Sequence, residues 1–226
     1  MVKGLFSIAI DGPAGAGKSS IAQMLAQRLN AIYLDTGAMY RTIGLYMKQN
    51  NIQSNDAIAN AVKDADIEVK FVSGAQHMIL GGADVTEDIR SGEISMMASR
   101  VATVPAVRER LVALQRKIAE DHSVVMDGRD IGTKVLPNAT LKIYLTASCE
   151  VRAKRRFEEM QGKNPEITYE SVLEDILKRD YNDANRAASP MVQAKDAVRV
   201  DTSDMTLEEV VARIIELLNA KGGEKA

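Results

Sequence analysis

The chain has 226 residues and a net charge of −2, from 29 basic and 31 acidic residues, and 46% of its residues are hydrophobic. So balanced a charge creates no overall field that attracts nucleic acid, and no run approaches the roughly 18 apolar residues of a membrane span. We therefore expect a cytoplasmic monomer with neither nucleic-acid nor membrane partners, large enough for one domain with an insertion or for two small domains.

Composition also limits disulfide and metal chemistry. The single cysteine, Cys149, excludes an internal disulfide framework and a cysteine-based zinc site. Two histidines, His77 and His122, are too few for a histidine-rich metal centre. We interpret the histidines as surface residues of a hairpin and of a helix end, and Cys149 as a small residue near a helix start.

The first fifty residues predict alternating strands and helices. A largely apolar run, Leu5–Asp11, ends at Gly12 as a buried parallel strand does. The next segment carries apolar residues at helical spacing up to Leu29. Ile32–Asp35 and Gly37–Gln49 then predict a second strand and a second helix. This alternation favours an α/β fold in which helices cover a parallel sheet.

The pattern changes between residues 51 and 95. Apolar and charged residues alternate over Ile67–Phe71, which predicts a half-exposed strand. After the turn-forming stretch Ser73–Gln76, the segment His77–Leu80 could return as its hairpin partner. Half-exposed antiparallel strands do not suit a sheet covered on both faces, so we interpret this region as a small inserted subdomain. We assign the pair Met96-Met97 to core packing.

The rest of the chain returns to the first pattern. In chain order it predicts a helix beyond Pro105, strands at Val124–Met126 and Leu141–Leu145, helices near 148–160 and 168–186, a last strand at Val198–Val200 and a final helix. A capping box formed by Thr206 and Glu209 opens that final helix.

A segment between the first strand and the first helix fits the phosphate-loop pattern G-x-x-x-x-G-K-[ST] in full. It reads Gly12-Pro13-Ala14-Gly15-Ala16-Gly17-Lys18-Ser19. Its glycines let the backbone curl so that successive N–H groups point at phosphate oxygens, and the following helix adds its positive dipole end. Lys18 would reach the β- and γ-phosphates, and Ser19 would hold magnesium. The pattern predicts nucleoside triphosphate binding but says little about the acceptor.

The arginines outside this loop indicate the acceptor. A phosphate acceptor is already an oxyanion and needs its charge neutralised, whereas a hydroxyl acceptor needs a carboxylate to take its proton. Three placements favour a phosphate acceptor. They are the turn Asp127-Gly128-Arg129-Asp130 after a strand, the helix face of Arg179, Asp183 and Arg186, and the helix face of Arg152, Arg155 and Arg156.

Each placement has an alternative interpretation. The two helix faces could be solvated surfaces with ordinary i,i+4 ion pairs. The turn is harder to explain in that way, because charges at the end of a buried strand are costly without ligands. Asp127 could also orient magnesium through water. A nucleotide-dependent switch is a further alternative, although a guanine-reading N-K-x-D sequence is absent.

Four segments together resemble bacterial cytidylate kinases, in that family's order and approximate spacing. They are Gly12–Ser20, Asp35–Arg41, Asp127–Thr133 and Arg179–Arg186. The resemblance implies a core of five parallel strands, a mobile insert that binds the monophosphate, and a short lid. The core would span about 1–50, 105–150 and 168–226, the insert about 51–104 and the lid about 151–167.

The resemblance also implies that the chain uses ATP and magnesium to convert CMP or dCMP to the diphosphate. Besides the loop, ATP would contact Ser20, with Arg155 and Arg156 on the lid side. The monophosphate site would be lined by Thr36, Tyr40 and Arg41, and cytosine would be read by Ser99, Arg108 and Asp130. Phosphates would be held by Arg129 and Arg186. Phosphate and ribose would be contacted by Arg179 and Asp183. Lys18, Arg129, Arg152 and Arg186 would form the catalytic set.

Adenylate and shikimate kinases are the closest alternatives among kinases. The lone cysteine excludes the zinc-bearing lid of some adenylate kinases, and a shikimate kinase would not need the insert.

Overall fold

A computed structural model describes residues 4–162, 165–185 and 189–223. The strands are β1 (Ser7–Asp11), β2 (Ile32–Asp35), β3 (Ile67–Val72), β4 (Ala75–Leu80), β5 (Ala83–Asp84), β6 (Val124–Gly128), β7 (Leu141–Thr146) and β8 (Val198–Asp201). The helices are α1 (Lys18–Leu29), α2 (Thr36–Gln49), α3 (Asn55–Ala61), α4 (Gly92–Val101), α5 (Pro105–Asp121), α6 (Cys149–Gln161), α7 (Tyr169–Asn185) and α8 (Leu207–Gly223). Among these residues, no helix has both the length and the apolar character that crossing a membrane requires.

The main sheet has five parallel strands in the order β2-β6-β1-β7-β8. This confirms the predicted α/β fold. Parallel pairing places the carboxyl ends of neighbouring strands at one edge of the sheet. At that edge Asp35 lies beside Asp127, and Asp11 lies beside Gly128. Three aspartates therefore meet where the strands end.

Helices cover both faces of this sheet because successive residues of a strand point to opposite sides. In β1, Ile8 and Ile10 face the core formed with α1 and α8, whereas Ala9 faces the core formed with α2 and α5. All three residues are fully buried. The continuous apolar run in the sequence thus reflects a strand that is covered on both sides.

The inserted region forms a separate antiparallel sheet with the order β3-β4-β5. A two-residue turn joins β3 to β4, in which Ser73 (φ 53°) and Gly74 (φ 82°) both adopt left-handed conformations. Such a turn matches the twist of the hairpin. The returning strand therefore begins at Ala75, two residues before the predicted His77. Its apolar face joins the core beside α2 through Met78.

The helix α4 lies near the end of the inserted region and was not predicted. It packs on α2, and a side chain at Gly44 would come within 3.1 Å of the backbone nitrogen of Ala98. The close packing leaves one side of α4 in solvent. The assignment of Met96 to the core is wrong, since Met96 is 65% exposed. Its neighbour Met97 does pack against the core.

Candidate active site

The phosphate loop lies between β1 and α1. Gly12 (φ 148°) passes so close to β7 that a Cβ atom there would overlap the carbonyl oxygen of Leu145. Gly17 (φ 83°) provides the left-handed residue from which α1 begins. The loop curls around Lys18, whose side-chain nitrogen donates a hydrogen bond of 2.7 Å to the carbonyl oxygen of Pro13. These features give the cradle shape that phosphate binding requires.

Lys18 is strongly influenced by its charged neighbours. Burial, followed by the positive charge of Arg129, lowers the pKa of Lys18 to about 7. The carboxylates of Asp127, Asp11 and Asp183 act in the opposite direction. A bound polyanion would favour the charged form of the lysine. The guanidinium of Arg129 and the loop lysine therefore share one electrostatic environment.

Asp127 connects the end of β6 to the loop. One carboxylate oxygen accepts a hydrogen bond of 2.9 Å from the hydroxyl of Ser19, and the other accepts one of 3.0 Å from the hydroxyl of Tyr33. Burial, followed by the negative charge of Asp35, raises the pKa of Asp127. Within the part of the chain that the structure describes, no cluster of three or more His, Cys, Asp or Glu side chains is suited to a metal. A cation beside Asp127 would therefore need further ligands from bound phosphates or water.

Asp11 holds the turn that follows β6. Its two carboxylate oxygens accept hydrogen bonds of 2.7 Å from the backbone N–H groups of Ile131 and Gly132. Burial raises the pKa of Asp11 to about 6, although these two donors oppose the shift. The contacts fix the start of a π-helical turn, Ile131–Val135. They thereby fix the backbone that follows Asp130.

Asp130 forms a buried ion pair with Arg108 of α5. The side chains are only 8% and 7% exposed, respectively. The Arg108 guanidinium also lies over the ring of Tyr40, 5.8 Å from its centroid. This arrangement places a hydrogen-bond acceptor beside a hydrogen-bond donor just beyond the carboxyl end of β6.

Two further arginines hold carboxylates at the cleft. Arg41 of α2 pairs with Asp35 at 2.8 Å, and Arg129 pairs with Asp183 of α7 at 2.7 Å. Both arginine side chains are about one-quarter exposed, at 25% and 26%. Each guanidinium group already donates to a carboxylate, and phosphate oxygens accept hydrogen bonds in the same way.

Comparison with known proteins decides the family. A family model described as cytidylate kinase matches residues 8–220. The chain is 50% identical to the cytidylate kinase of Caldicellulosiruptor saccharolyticus over 213 residues, which cover 93% of this chain and 94% of that protein. It is 49% identical to the cytidylate kinase of Caldanaerobacter subterraneus subsp. tengcongensis over 226 residues, covering 98% and 99% of the two chains. The chain belongs to the cytidylate kinase family.

Solved structures support the phosphate-loop kinase fold. An uncharacterized protein from Eubacterium ventriosum superposes with a TM-score of 0.55 at 14% identity, covering 95% of this chain and 98% of that one. A gluconokinase from Sinorhizobium meliloti superposes with a TM-score of 0.51 at 16% identity, covering 97% and 94%. At such identities the likeness concerns the fold alone.

The remaining residues that the cytidylate kinase resemblance assigned to the monophosphate occupy varied settings. Thr36 is buried and donates its hydroxyl to the carbonyl oxygen of Asp127 at 2.7 Å. Ser99 is exposed on α4, with its hydroxyl 3.2 Å from the carbonyl oxygen of Ser95. Arg179 is exposed on α7. Arg186 lies outside the described residues.

The three arginines of α6 do not act as one group in the structure. Arg152 is buried beneath the phosphate loop, where it donates to the carbonyl oxygen of Ala14 at 2.8 Å. Arg155 donates to the hydroxyl and carbonyl oxygens of Thr202. Arg156 is exposed and pairs with Glu159 within its own helix. Spacing alone gave them a common face, but each meets a different part of the fold.

Sequence reasoning missed residues that support the site from beneath. Asp11, Asp35 and Asp180 all bind backbone N–H groups in or beside the cleft. Gln76 of the insert does the same, since its amide accepts a hydrogen bond of 2.7 Å from the N–H of Asp35 and donates one of 3.2 Å to its carbonyl oxygen. The aspartates at the ends of β1 and β2 were a usable signal, because parallel strand ends share one edge. Gln76 gave none.

Proposed function

We propose that this chain transfers the γ-phosphoryl group of ATP to CMP or dCMP, giving ADP and CDP or dCDP. Membership in the cytidylate kinase family identifies the reaction, so the adenylate and shikimate alternatives are not favoured. The observation that carries the proposal at the level of the site is the parallel pairing of β1 with β6, which brings the loop after β1 and Arg129 after β6 to one edge of the sheet. It joins a triphosphate cradle to a guanidinium that can serve an acceptor phosphate.

The acceptor phosphate would be held by Arg41 and Arg129. Both guanidinium groups now bind carboxylates, of Asp35 and Asp183, in part-exposed positions. Phosphate oxygens could replace the carboxylates in these contacts, and the arginines would then neutralise the charge that keeps two anions apart. No strong general base is needed, because the attacking oxygen is already ionised.

The cytosine base would be read by Arg108 and Asp130. A carboxylate accepts a hydrogen bond from the exocyclic amine of cytosine, and an arginine donates to the ring nitrogen and the carbonyl oxygen. Uracil reverses the donor and acceptor pattern at two of these positions, so such a site disfavours UMP. The rest of the CMP site would be lined by Thr36, Tyr40, Ser99 and Arg179. The buried Arg108–Asp130 pair supports this assignment because it already holds a donor and an acceptor side by side.

The donor half would use the loop and magnesium. The Ser19 hydroxyl and the Asp127 carboxylate, which lie 2.9 Å apart, are hard oxygen donors of the kind that Mg²⁺ binds directly or through water. When bound, the ion would neutralise charge on the β- and γ-phosphates. Lys18 would add a point charge at the transferred group. Ser20 would contact ATP, Arg152 would support the loop from beneath, and Arg155 and Arg156 would act from the lid side.

We further propose that the chain divides by role. The five-stranded sheet and its helices form the core, the region of about 51–104 binds the monophosphate, and about 151–167 forms the lid. The separate sheet β3-β4-β5 supports the assignment of the monophosphate-binding region. The contact of α6 with the loop supports the assignment of the lid.

Coupled measurement of ADP release tests this function. CMP, dCMP, UMP, AMP and shikimate are offered separately, with ATP and magnesium present. The proposal predicts fast release with CMP and dCMP, slower release with UMP, and background rates with AMP and shikimate. Equal rates with AMP and CMP would contradict it.

A further inference from the structure

The helix α7 presents two carboxylates to the cleft, almost one helical turn apart. Asp183 pairs with Arg129, which lies on the acceptor side. Asp180 turns towards the phosphate loop instead. The proposed function uses Asp183 but gives Asp180 no role. Both carboxylates therefore come from a single rigid element that reaches the two halves of the site.

Asp180 and Arg152 together hold both backbone polar groups of Ala14. The N–H of Ala14 donates to one carboxylate oxygen of Asp180 at 3.1 Å. Its carbonyl oxygen accepts from the Arg152 guanidinium at 2.8 Å. The other oxygen of Asp180 pairs with the same guanidinium nitrogen at 2.6 Å. The result is a closed ring of three contacts around one loop residue.

The ring is buried and tightly placed. The side chain of Arg152 is 4% exposed and that of Asp180 is 19% exposed. Arg152 is further anchored by a hydrogen bond of 3.0 Å to the carbonyl oxygen of Ala147. A Cβ atom at Gly15 would lie 3.2 Å from Cβ of Arg152, so the loop rests directly on α6. Removing one partner of such a pair leaves an uncompensated buried charge, which is more costly than losing a surface ion pair.

We propose that Asp180 is a positioning residue for the ATP half of the site. It fixes the shape of the phosphate loop through Ala14 and keeps Arg152 beneath it. A preformed loop binds a polyphosphate without first ordering its own N–H groups. The inference rests on the proposed function, since it assigns ATP to this loop. It adds that α7 links the loop to Arg129 through two carboxylates on one helix.

Kinetic constants of Asp180 variants test this role. Loss of a buried, charge-assisted contact predicts that Asp180→Ala raises the KM for ATP about tenfold, while the KM for CMP stays within about twofold. Asp180→Asn gives a smaller rise, because its amide oxygen still accepts from the Ala14 N–H but no longer neutralises Arg152. Asp175→Asn is the matched control, since Asp175 is exposed on the same helix.

Calorimetric titration with a non-hydrolysable ATP analogue and magnesium gives a second readout that needs no acceptor. It should show the same ranking of Kd values, with the Asp175→Asn variant equal to wild type. If Asp180→Ala fails to fold, the Asp180→Asn variant alone carries the comparison.

Two results would overturn the inference. They are equal rises in the KM values for ATP and CMP, and an unchanged ATP affinity in both Asp180 variants. The proposed function fails in a different way, because wild-type protein would then release no ADP with CMP. Wild-type activity with unaffected variants would therefore refute only the role of Asp180.

Discussion

The two halves of the cleft are built on different principles. The ATP half is one contiguous segment, Gly12–Ser19, and most of its proposed binding groups are backbone N–H groups and a single lysine. The acceptor half is assembled from side chains on separate elements, with Arg41 on α2, Arg108 on α5 and Arg129 after β6. A backbone site can be recognised from a short pattern, whereas a side-chain site exists only after the chain has folded.

The halves also differ in how they manage charge. In the ATP half, burial and the nearby Arg129 lower the pKa of Lys18, and a bound anion would oppose that shift. In the acceptor half, Arg41 and Arg108 are already paired with aspartates. Changes in the first half should therefore affect turnover most, and changes in the second should affect acceptor binding and stability.

The largest expected effect is that of Lys18→Ala. Turnover should fall about 1,000-fold, because the transferred phosphoryl group loses its point charge while the backbone cradle remains. ADP release under saturating CMP measures it, with Lys117→Ala, an exposed lysine of α5, as the control. Turnover close to that of wild type would contradict the role of Lys18 in phosphoryl transfer.

Asp130→Ala should act on the other half. It leaves the buried Arg108 without this carboxylate, so the free energy of unfolding should fall by about 3 kcal/mol. The loss of a base-reading group should also weaken CMP binding at least tenfold, given about 1–3 kcal/mol per base contact, and leave ATP binding unchanged. Urea denaturation and calorimetry measure the two effects, with the exposed Asp121→Ala as control. Equal losses for both nucleotides would count against base reading.

The pH dependence of stability should reveal Asp11. Its carboxyl keeps its proton up to about pH 6 in the folded state but ionises near 3.8 when unfolded. The folded state therefore binds more protons in this window, and the contribution to stability falls as pH rises through it. Relative to Asp11→Asn, the wild-type free energy of unfolding should fall by about 2 kcal/mol between pH 4 and pH 7.

A series of urea denaturations across this pH range measures that difference. The Asp56→Asn variant, altered at an exposed position of α3, should show no such slope. If the difference in free energy of unfolding between wild type and Asp11→Asn stayed constant across this pH range, the raised pKa of the Asp11 carboxyl would be refuted.

The smallest expected effect concerns the link between the insert and the acceptor half. Gln76→Ala removes two hydrogen bonds to the backbone of Asp35, the residue that caps α2 and pairs with Arg41. The KM for CMP should rise about fivefold, because only part of the roughly 2 kcal/mol that two net hydrogen bonds contribute would reach the Arg41 contact. The KM for ATP should stay the same. Gln53→Ala, at an exposed position of the insert, provides the control, and an equal effect of both variants would refute the link.

Much of the fold could be predicted because its signals are local. Ile32–Asp35 was predicted with its observed bounds, and the capping box appears as reciprocal bonds between Thr206 and Glu209. The helix α4 was missed although Ile94, Ala98 and Val101 follow helical spacing and are buried. This pattern spans only about two helical turns, which was too short to stand out beside the Met96-Met97 pair.

The placement of the arginines could not be predicted in the same way. Spacing on a helix tells which residues are neighbours, but not which part of the fold each one meets. Arg152 and Arg156 are four residues apart, yet the first lies beneath the loop and the second in solvent. Likewise, the pairing of Arg108 with Asp130 joins α5 to the turn after β6, and only the packing of the sheet brings them together.

The most direct test of the central claim is a crystal structure with CMP and a non-hydrolysable ATP analogue bound together. We expect the triphosphate in the loop at Lys18, and the CMP phosphate against Arg41 and Arg129, facing it across one cavity. The cytosine edge should contact Arg108 and Asp130. CMP bound elsewhere, with Arg41 and Arg129 turned away from the loop into water, would contradict the proposed function.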